Sequence, residues 1–185
     1  MTGPSENPGD ARPGFWRRVI FGRNEGRTLA RIGILVAVVA VLRAFVFLPI
    51  RVSGPSMEPT YHDGINIVNR LAYLSHGPAR GDVVAISMAE EGHSVMLMKR
   101  IVGLPGETVA FHQGRVWING NELSEPYLQR VSDWEMAPQR LGPDKYYVVG
   151  DNRSMPQEFH VQGPAARSRI VGKVILWRNF FGPRS

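Results

Sequence analysis

Two patterns of hydrophobic residues divide the chain. Residues 29–48 are almost entirely apolar, and a run of about 20 such residues is the length that an α-helix needs to cross a bilayer core. Beyond residue 50 the apolar residues occur in short segments of alternating polarity, which is typical of β-strands with one buried face. No long helical period follows the apolar run. The pattern therefore predicts one transmembrane helix followed by a β-rich domain.

The predicted strands are short and are separated by turns. They cover residues 50–54, 65–69, 81–86, 95–102, 108–111, 115–118, 146–149 and 170–177. Asn119-Gly120 is a typical two-residue hairpin turn. Residues 123–141, which include Pro126, Trp134 and Pro138, fit no strand pattern and are predicted to form a loop or an irregular subdomain. The sequence therefore predicts an all-β domain with a barrel-like or two-sheet arrangement.

The charges give the apolar run a direction. The formal net charge is +6, and basic residues are concentrated before the run and at its inner end, at Arg12, Arg17, Arg18, Arg23, Arg27 and Arg31. Such a cluster marks the cytoplasmic flank of a membrane helix. We therefore predict a cytoplasmic, partly disordered tail over residues 1–28, a single-pass helix over 29–49 that ends at Pro49, and an extracytoplasmic domain over 50–185.

Two other interpretations of this N-terminal region are weaker. A cleaved signal peptide would have a shorter leading region and a small-residue cleavage site after the apolar run. A nucleic-acid-binding patch would not be expected to precede a hydrophobic segment directly. The sequence contains no cysteine, which excludes disulfides, thiol catalysis and cysteine-ligated metals. The histidines lack metal-ligand spacing, so no metal site is predicted. No organic cofactor is predicted either.

Ser56 is the candidate nucleophile. Gly54, Pro55 and Pro59 restrict the backbone around it, so its hydroxyl can be presented at one defined angle. An ordinary turn has the same composition, and the interpretation depends on a base elsewhere in the chain.

Lys99 is the candidate base. In a strand over residues 95–102, the side chains of Val95, Leu97, Lys99 and Ile101 share one face, which is otherwise apolar. Desolvation on that face would lower the lysine pKa from about 10.4 towards 8, so that the amine could accept a proton. A lysine at a sheet edge, with its stem packed and its amine in water, is the alternative.

Four segments, in this order after one apolar anchor, resemble the type I signal peptidases, a family of membrane-anchored serine peptidases with a Ser/Lys dyad. They are Ser53-Gly-Pro-Ser-Met-Glu-Pro-Thr60, Arg80-Gly-Asp-Val-Val84, Lys99-Arg-Ile-Val-Gly-Leu-Pro-Gly-Glu107 and Gly150-Asp-Asn-Arg153. The resemblance runs from about residue 43 to about residue 177 and implies the same β-rich fold.

The resemblance also implies roles for individual residues. The backbone N–H of Ser56 would stabilise the oxyanion. In some relatives the residue two positions before the nucleophile adds a hydroxyl, but here that residue is Gly54. Asp151 and Arg153 match a segment that supports the site, where we expect them to form a turn-stabilising ion pair. Arg100 is a candidate member of the same network.

The chain departs from the family after Arg153. Where relatives have Ser, Asp, Ser and Arg, this chain has Pro156, Glu158, Phe159 and His160. In the family the first of these serines hydrogen-bonds the catalytic lysine. Ser154 is the candidate to replace it, with a water molecule as the alternative. Glu158 is a candidate partner for Arg100, and His160 is a weaker, titratable substitute for arginine.

The predicted substrate is the extended signal peptide of an exported preprotein, paired with strand edges by β-augmentation. The candidate binding residues are Ile50, Val52, Ser53, Met96, Leu97 and Met98. Small pockets that select alanine-like residues are what the resemblance implies. We therefore predict a membrane-bound endopeptidase whose partners are preprotein signal peptides and the lipid bilayer of the cell membrane, and not nucleic acid. A catalytically impaired homologue that binds extended peptides and a processing peptidase with few substrates are the alternatives.

Overall fold

A computed structural model describes residues 25–90 and 93–175. The chain divides into two compact units between Arg43 and Ala44. The first contains all but the last two residues of helix α1, which spans Glu25–Phe45. Its 20 residues from Gly26 to Phe45 have a mean hydropathy of 2.1, and none of them is buried. By length and composition this helix can cross a membrane.

The prediction that Pro49 ends the helix was wrong. Helix α1 ends at Phe45, and Pro49 lies within the first strand, where it is opposite Ile67. Proline is compatible with this position because the strand is at a sheet edge, where one side makes no ladder hydrogen bonds.

Eleven strands form two antiparallel sheets within the described residues, as the all-β prediction requires. They are β1 (Phe47–Val52), β2 (Gly64–Asn69), β3 (Val83–Glu90), β4 (His93–Gly103), β5 (Thr108–His112), β6 (Arg115–Ile118), β7 (Asn121–Glu122), β8 (Met136–Arg140), β9 (Lys145–Val149), β10 (Gly163–Ala166) and β11 (Ile170–Ile175). The larger sheet has the order β1-β2-β11-β3-β4-β9-β10, and the smaller has the order β7-β6-β5-β8. The last two residues of the predicted strand 170–177 lie outside the described residues.

Sequence patterning missed three strands: β7, which has only two residues, and the longer β8 and β10. Strands β8 and β10 contain Pro138 and Pro164 respectively, and each forms the edge of its sheet. Strand β8 lies in the segment predicted to be irregular. Proline lowers the apparent strand propensity, although an edge strand tolerates it.

The predicted hairpin turn was correct. Asn119 and Gly120 both have positive φ angles, 52° and 85°, and connect β6 to β7. The Asn119 side-chain oxygen also accepts a hydrogen bond from Thr108 N–H at 2.9 Å. This turn therefore fixes both the hairpin and its contact with β5.

Alternate residues of the central strands pack on opposite faces of the larger sheet. In β3, Val83 and Ala85 belong to one apolar cluster, whereas Val84 and Ile86 belong to another. Strand β4 alternates in the same way, with Met98 in the first cluster and Ile101 in the second. Lys99 is opposite Val84, so it lies on the face of the second cluster.

Candidate active site

Ser56 lies in a single 3₁₀ turn, Pro55–Met57, immediately after β1. Gly54 precedes the turn with a φ angle of 114°, which favours glycine. The Met57 side chain is 1% exposed and packs with Ile50, Val68 and Met98. The buried methionine anchors the turn in the core, and the neighbouring Ser56 remains half-buried.

Hydrogen bonds from two directions hold this turn. The backbone N–H of Asn152 donates to the Ser56 carbonyl at 3.0 Å, and its side-chain amide donates to the Pro55 carbonyl at 3.0 Å. On the other side, Gly54 N–H donates to Asp63 Oδ1 at 2.9 Å. The Gly54 N–H is therefore already bonded to Asp63. The role of Gly54 at the site is to allow the positive φ angle that begins the turn. The Ser56 N–H lies in the first turn of the 3₁₀ helix, where it has no intrahelical acceptor.

Lys99 is buried, with 4% of its surface exposed. Burial lowers the pKa of Lys99 to about 8, although the nearby Asp151 carboxylate opposes the decrease. Leu97, Lys99 and Ile86 line one cavity of about 100 Å³. The prediction that this lysine would be desolvated on an apolar face is therefore confirmed. A large share of the amine is neutral at slightly alkaline pH.

The segment after β9 links the serine turn to the lysine strand. Asp151 is 2% exposed and binds Arg100, which follows Lys99 in β4. The Asp151 carboxylate accepts bonds from Arg100 Nε at 2.8 Å and Nη2 at 2.5 Å. The adjacent Asn152 holds the Ser56 turn, so one short segment fixes both candidate catalytic residues relative to each other.

The predicted ion pair between Asp151 and Arg153 is not formed. Asp151 pairs with Arg100, whereas the fully buried Arg153 pairs with Glu125 at 2.6 Å. Arg153 Nε also donates to the Gly150 carbonyl at 2.9 Å. Each charged residue of the turn has a partner distant in sequence, which local spacing could not identify. The inclusion of Arg100 in the network is confirmed.

Ser154 and Glu158 do not have the partners that the sequence suggested. The exposed Ser154 hydroxyl donates to Asn152 Oδ1 at 2.6 Å, and among the described hydrogen bonds none joins it to Lys99. Glu158 is also exposed, and the carboxylate that pairs with Arg100 belongs to Asp151. The Ser154 hydroxyl is thus bound to Asn152, and the Glu158 side chain is exposed to solvent.

His160 is a site residue whose environment the sequence did not reveal. Its ring is 5% exposed and packs edge-on against Trp134 at 4.9 Å between centroids. Burial, followed by the charges of Lys99 and Arg153, lowers the pKa of His160 to about 4. The ring is therefore neutral at pH 7 and lies within the electrostatic reach of Lys99. In the sequence, the one sign that His160 belongs to the site was its position, where relatives have an arginine.

The candidate substrate-binding residues separate into two groups. Ile50, Val52, Met96 and Met98 pack in one apolar cluster together with Met57. Leu97 instead lines the cavity on the Lys99 face, and Ser53 is exposed. The pairing of β4 with β9 begins at Arg100, so among the described residues the 95–99 segment pairs with β3 alone. Within the same part of the chain, strand β1 pairs with β2 alone. Both segments can therefore accept an added strand.

Comparison with known proteins identifies the family. Residues 26–177 match the sequence model of the signal peptidases, peptidase family S26. The chain is 33% identical over 153 residues to signal peptidase I of Leptolyngbya laminosa, covering 78% of this chain and 75% of that protein. It is 38% identical over 154 residues to signal peptidase I of Bacillus licheniformis, covering 75% and 81%. The chain therefore belongs to the S26 signal peptidase family.

A solved structure is also similar to this chain. It is a signal peptidase I from Enterococcus faecalis V583, with 29% identity and a TM-score of 0.39, and the match covers 52% of this chain and 95% of that one.

Proposed function

We propose that this protein is a membrane-anchored endopeptidase that removes signal peptides from exported preproteins, with Ser56 as nucleophile and Lys99 as general base. Membership of the signal peptidase family supports the activity. The observation that supports the dyad is the burial of Lys99, which lowers its pKa to about 8. Asp151 binds the Lys99 strand through Arg100, and the adjacent Asn152 binds the Ser56 turn. A neutral amine is what a serine hydroxyl needs as its proton acceptor.

In the proposed reaction, the Lys99 amine removes the Ser56 hydroxyl proton while Oγ attacks the scissile carbonyl. The backbone N–H of Ser56 stabilises the resulting oxyanion. The C–N bond then breaks, and Lys99 donates its proton to the departing amine, which leaves an acyl ester on Ser56. Lys99 next takes a proton from water, whose oxygen attacks the ester, and the serine regains its proton as the cleaved signal peptide departs.

The substrate would bind as an extended strand between two free edges. Strands β1 and β4 contact each other, and no strand formed by residues 25–90 or 93–175 pairs with the 95–99 segment of β4 on the side away from β3. Main-chain hydrogen bonds would give affinity, whereas Ile50, Val52, Met96 and Met98 would form the apolar pockets.

We infer the orientation from charge. Arginines cluster before the apolar run, which favours a cytoplasmic N-terminus and an extracytoplasmic β-domain. The helix would then hold the catalytic domain at the membrane face where translocated preproteins emerge.

Cleavage of a preprotein by the full chain in detergent tests the proposal. Ser56→Ala and Lys99→Ala should each lower kcat by at least about a thousandfold, and the double variant should be little worse, because the two groups act as a unit. Ser75→Ala and Lys145→Ala, which change exposed residues of the same types, are the matched controls. Wild-type activity in either dyad variant would reject the assignment. Peptide binding without cleavage by the wild type would instead support the non-catalytic homologue.

A further inference from the structure

His160, at the end of the altered segment, and the half-buried Gln162 just after it both carry buried polar atoms. His160 has an extended backbone, with φ −105° and ψ 107°. Side chains two residues apart in an extended segment lie on the same side, so His160 and Gln162 face together while Val161 between them is 53% exposed. The arrangement directs two polar groups into the protein from one short stretch of chain.

The His160 ring is surrounded closely but lacks a hydrogen-bond partner. A Cβ placed on Gly150 would be 2.1 Å from the Ser56 carbonyl oxygen and 2.7 Å from His160 Nε2. The ring is therefore next to the backbone of the candidate nucleophile. The backbone of Ser56 and Val161 slightly raises the His160 pKa, but neither ring nitrogen makes a hydrogen bond of acceptable geometry with the described protein atoms. A buried imidazole without partners is costly, which indicates a ligand or a bound water.

Gln162 shows the same feature. Its Oε1 is buried and has no hydrogen-bond partner among the described residues. The residue lines the cavity of about 100 Å³ that Lys99, Leu97 and Val148 also line. A cavity of this size can hold water molecules when polar groups surround it. The unpaired Gln162 acceptor and the Lys99 amine therefore border one water-sized space.

His160 and Lys99 have different charged neighbours. His160 faces the cations Lys99 and Arg153, which with burial keep the imidazole neutral at pH 7. Lys99 lies near the Asp151 carboxylate, which is itself paired with Arg100, and Arg169 also lines the cavity. A neutral imidazole and an amide oxygen can both accept hydrogen bonds, which a lysine amine needs in order to be oriented.

We propose that His160 and Gln162 are the positioning residues for Lys99, and that they hold a water molecule that accepts a hydrogen bond from its amine. This inference rests on the proposed role of Lys99 as base. In relatives, the serine aligned with Pro156 orients the lysine through a hydrogen bond. Pro156 has no hydroxyl, and we assign this role to His160 and Gln162. Ser154 does not perform it either, because its hydroxyl binds Asn152.

The test uses substitutions that preserve shape and remove polar atoms, His160→Phe and Gln162→Met, in the full chain in detergent. Each should lower kcat about tenfold or more with KM changed less than twofold, because a misoriented amine affects the reaction and not peptide binding. The double variant should be less impaired than the product of the single effects, because both residues hold the same water. His160→Gln, which keeps polar atoms, should retain more activity than His160→Phe.

A second readout does not depend on activity. The chain has three lysines, Lys99, Lys145 and Lys173, so selective ¹³C labelling of lysine gives a titration curve for each by NMR. Hydrogen-bond acceptors favour the charged amine, so both variants should lower the Lys99 pKa by at least about half a unit while Lys145 and Lys173 are unchanged. His112→Phe and Gln139→Met, at exposed positions, should leave kcat and all three titrations as in the wild type.

The outcomes separate this inference from the proposed function. A wild-type kcat together with an unchanged Lys99 pKa in His160→Phe and Gln162→Met would overturn the positioning role. A lower melting temperature with neither a pKa shift nor rescue by His160→Gln would show that His160 only fills space, which also overturns it. If the wild type fails to cleave preproteins, the proposed function fails, and the Lys99 titration still decides whether these residues act on its amine through the water molecule.

Discussion

At the scale of single residues, the burial of Lys99 that suits catalysis lowers the stability of the folded protein. The charged amine is disfavoured in its buried position, and the pKa falls from 10.5 to about 8. Between those two values the unfolded chain binds a proton that the folded chain does not, so stability rises with pH across this window. Below pH 8 the cost of burying the charge is fully present, at roughly 3 kcal/mol.

Lys99→Met should therefore remove activity and stabilise the fold. We expect the free energy of unfolding to exceed that of the wild type by about 2–3 kcal/mol at pH 6, and the difference to shrink as pH rises from 8 to above 10. Urea unfolding at several pH values measures it, with Lys145→Met as the exposed control. A less stable Lys99→Met protein at pH 6 would show that the amine is not desolvated.

The same burial predicts the pH dependence of cleavage. Since the neutral amine is the base, kcat/KM should rise with pH and reach half of its plateau near the Lys99 pKa of about 8. The rate measured from pH 6 to 10 checks this, and the NMR titration of Lys99 should give the same midpoint. A rate that is already maximal at pH 6 would contradict a lysine base.

Arg153 and Glu125 form an ion pair that is almost completely inaccessible, with side chains 0% and 4% exposed. Tyr127 also donates to the Glu125 carboxylate, at 2.5 Å. Arg153→Met should cost about 3–5 kcal/mol of stability, because it leaves the carboxylate buried and unpaired. Combining it with Glu125→Leu should recover most of the loss in urea unfolding. A double variant as unstable as Arg153→Met would indicate that packing, and not charge, decides the effect.

At the scale of elements, the site depends on the close approach of the segment after β9 to the Ser56 turn. Gly150 allows this approach, because any side chain there would overlap the Ser56 carbonyl and the His160 ring. The short distance lets Asn152 hold the turn and lets Asp151 reach Arg100. The position of the serine thus depends on a contact between segments almost 100 residues apart in sequence.

Gly150→Ala should therefore lower kcat by at least about a hundredfold, because a displacement near 1 Å disrupts catalytic alignment. Gly142→Ala is the control, since its new methyl would meet Lys145 Cγ at an ordinary 3.6 Å. The measurement is cleavage of a preprotein at saturating concentration, alongside thermal unfolding. Near wild-type cleavage by Gly150→Ala would show that the Ser56 turn tolerates displacement.

At the scale of the whole molecule, the chain has a helix long enough to span a membrane and a separate β-domain. The absence of cysteine from the sequence makes the orientation straightforward to test. Cysteine placed at Ser75, an exposed β-domain residue, should react with a membrane-impermeant maleimide in intact spheroplasts. Cysteine placed at Ser5 should react only after lysis, because the arginine cluster keeps the N-terminus inside. The reverse labelling pattern would invert the proposed topology.

The sequence by itself determined the features that depend on local pattern. An apolar run fixed the helix, alternation fixed most strands, and Asn119-Gly120 fixed a hairpin, because each reflects the preferences of neighbouring residues. The face that Lys99 shares with Leu97 and Ile101 also followed from alternation. The edge strands β8 and β10 were missed, because a strand that contains proline is recognisable only from its place in a sheet.

Tertiary structure decided the partners of the polar groups. Asp151 pairs with Arg100, Arg153 with Glu125, and Ser154 with Asn152, whereas local spacing suggested other partners. The burial of His160 beside Trp134 was equally hidden. Charges and hydrogen bonds act over a few ångströms in space, and in a β-fold with long-range strand pairing such neighbours come from distant parts of the chain, so their pairing is set only when the sheets assemble.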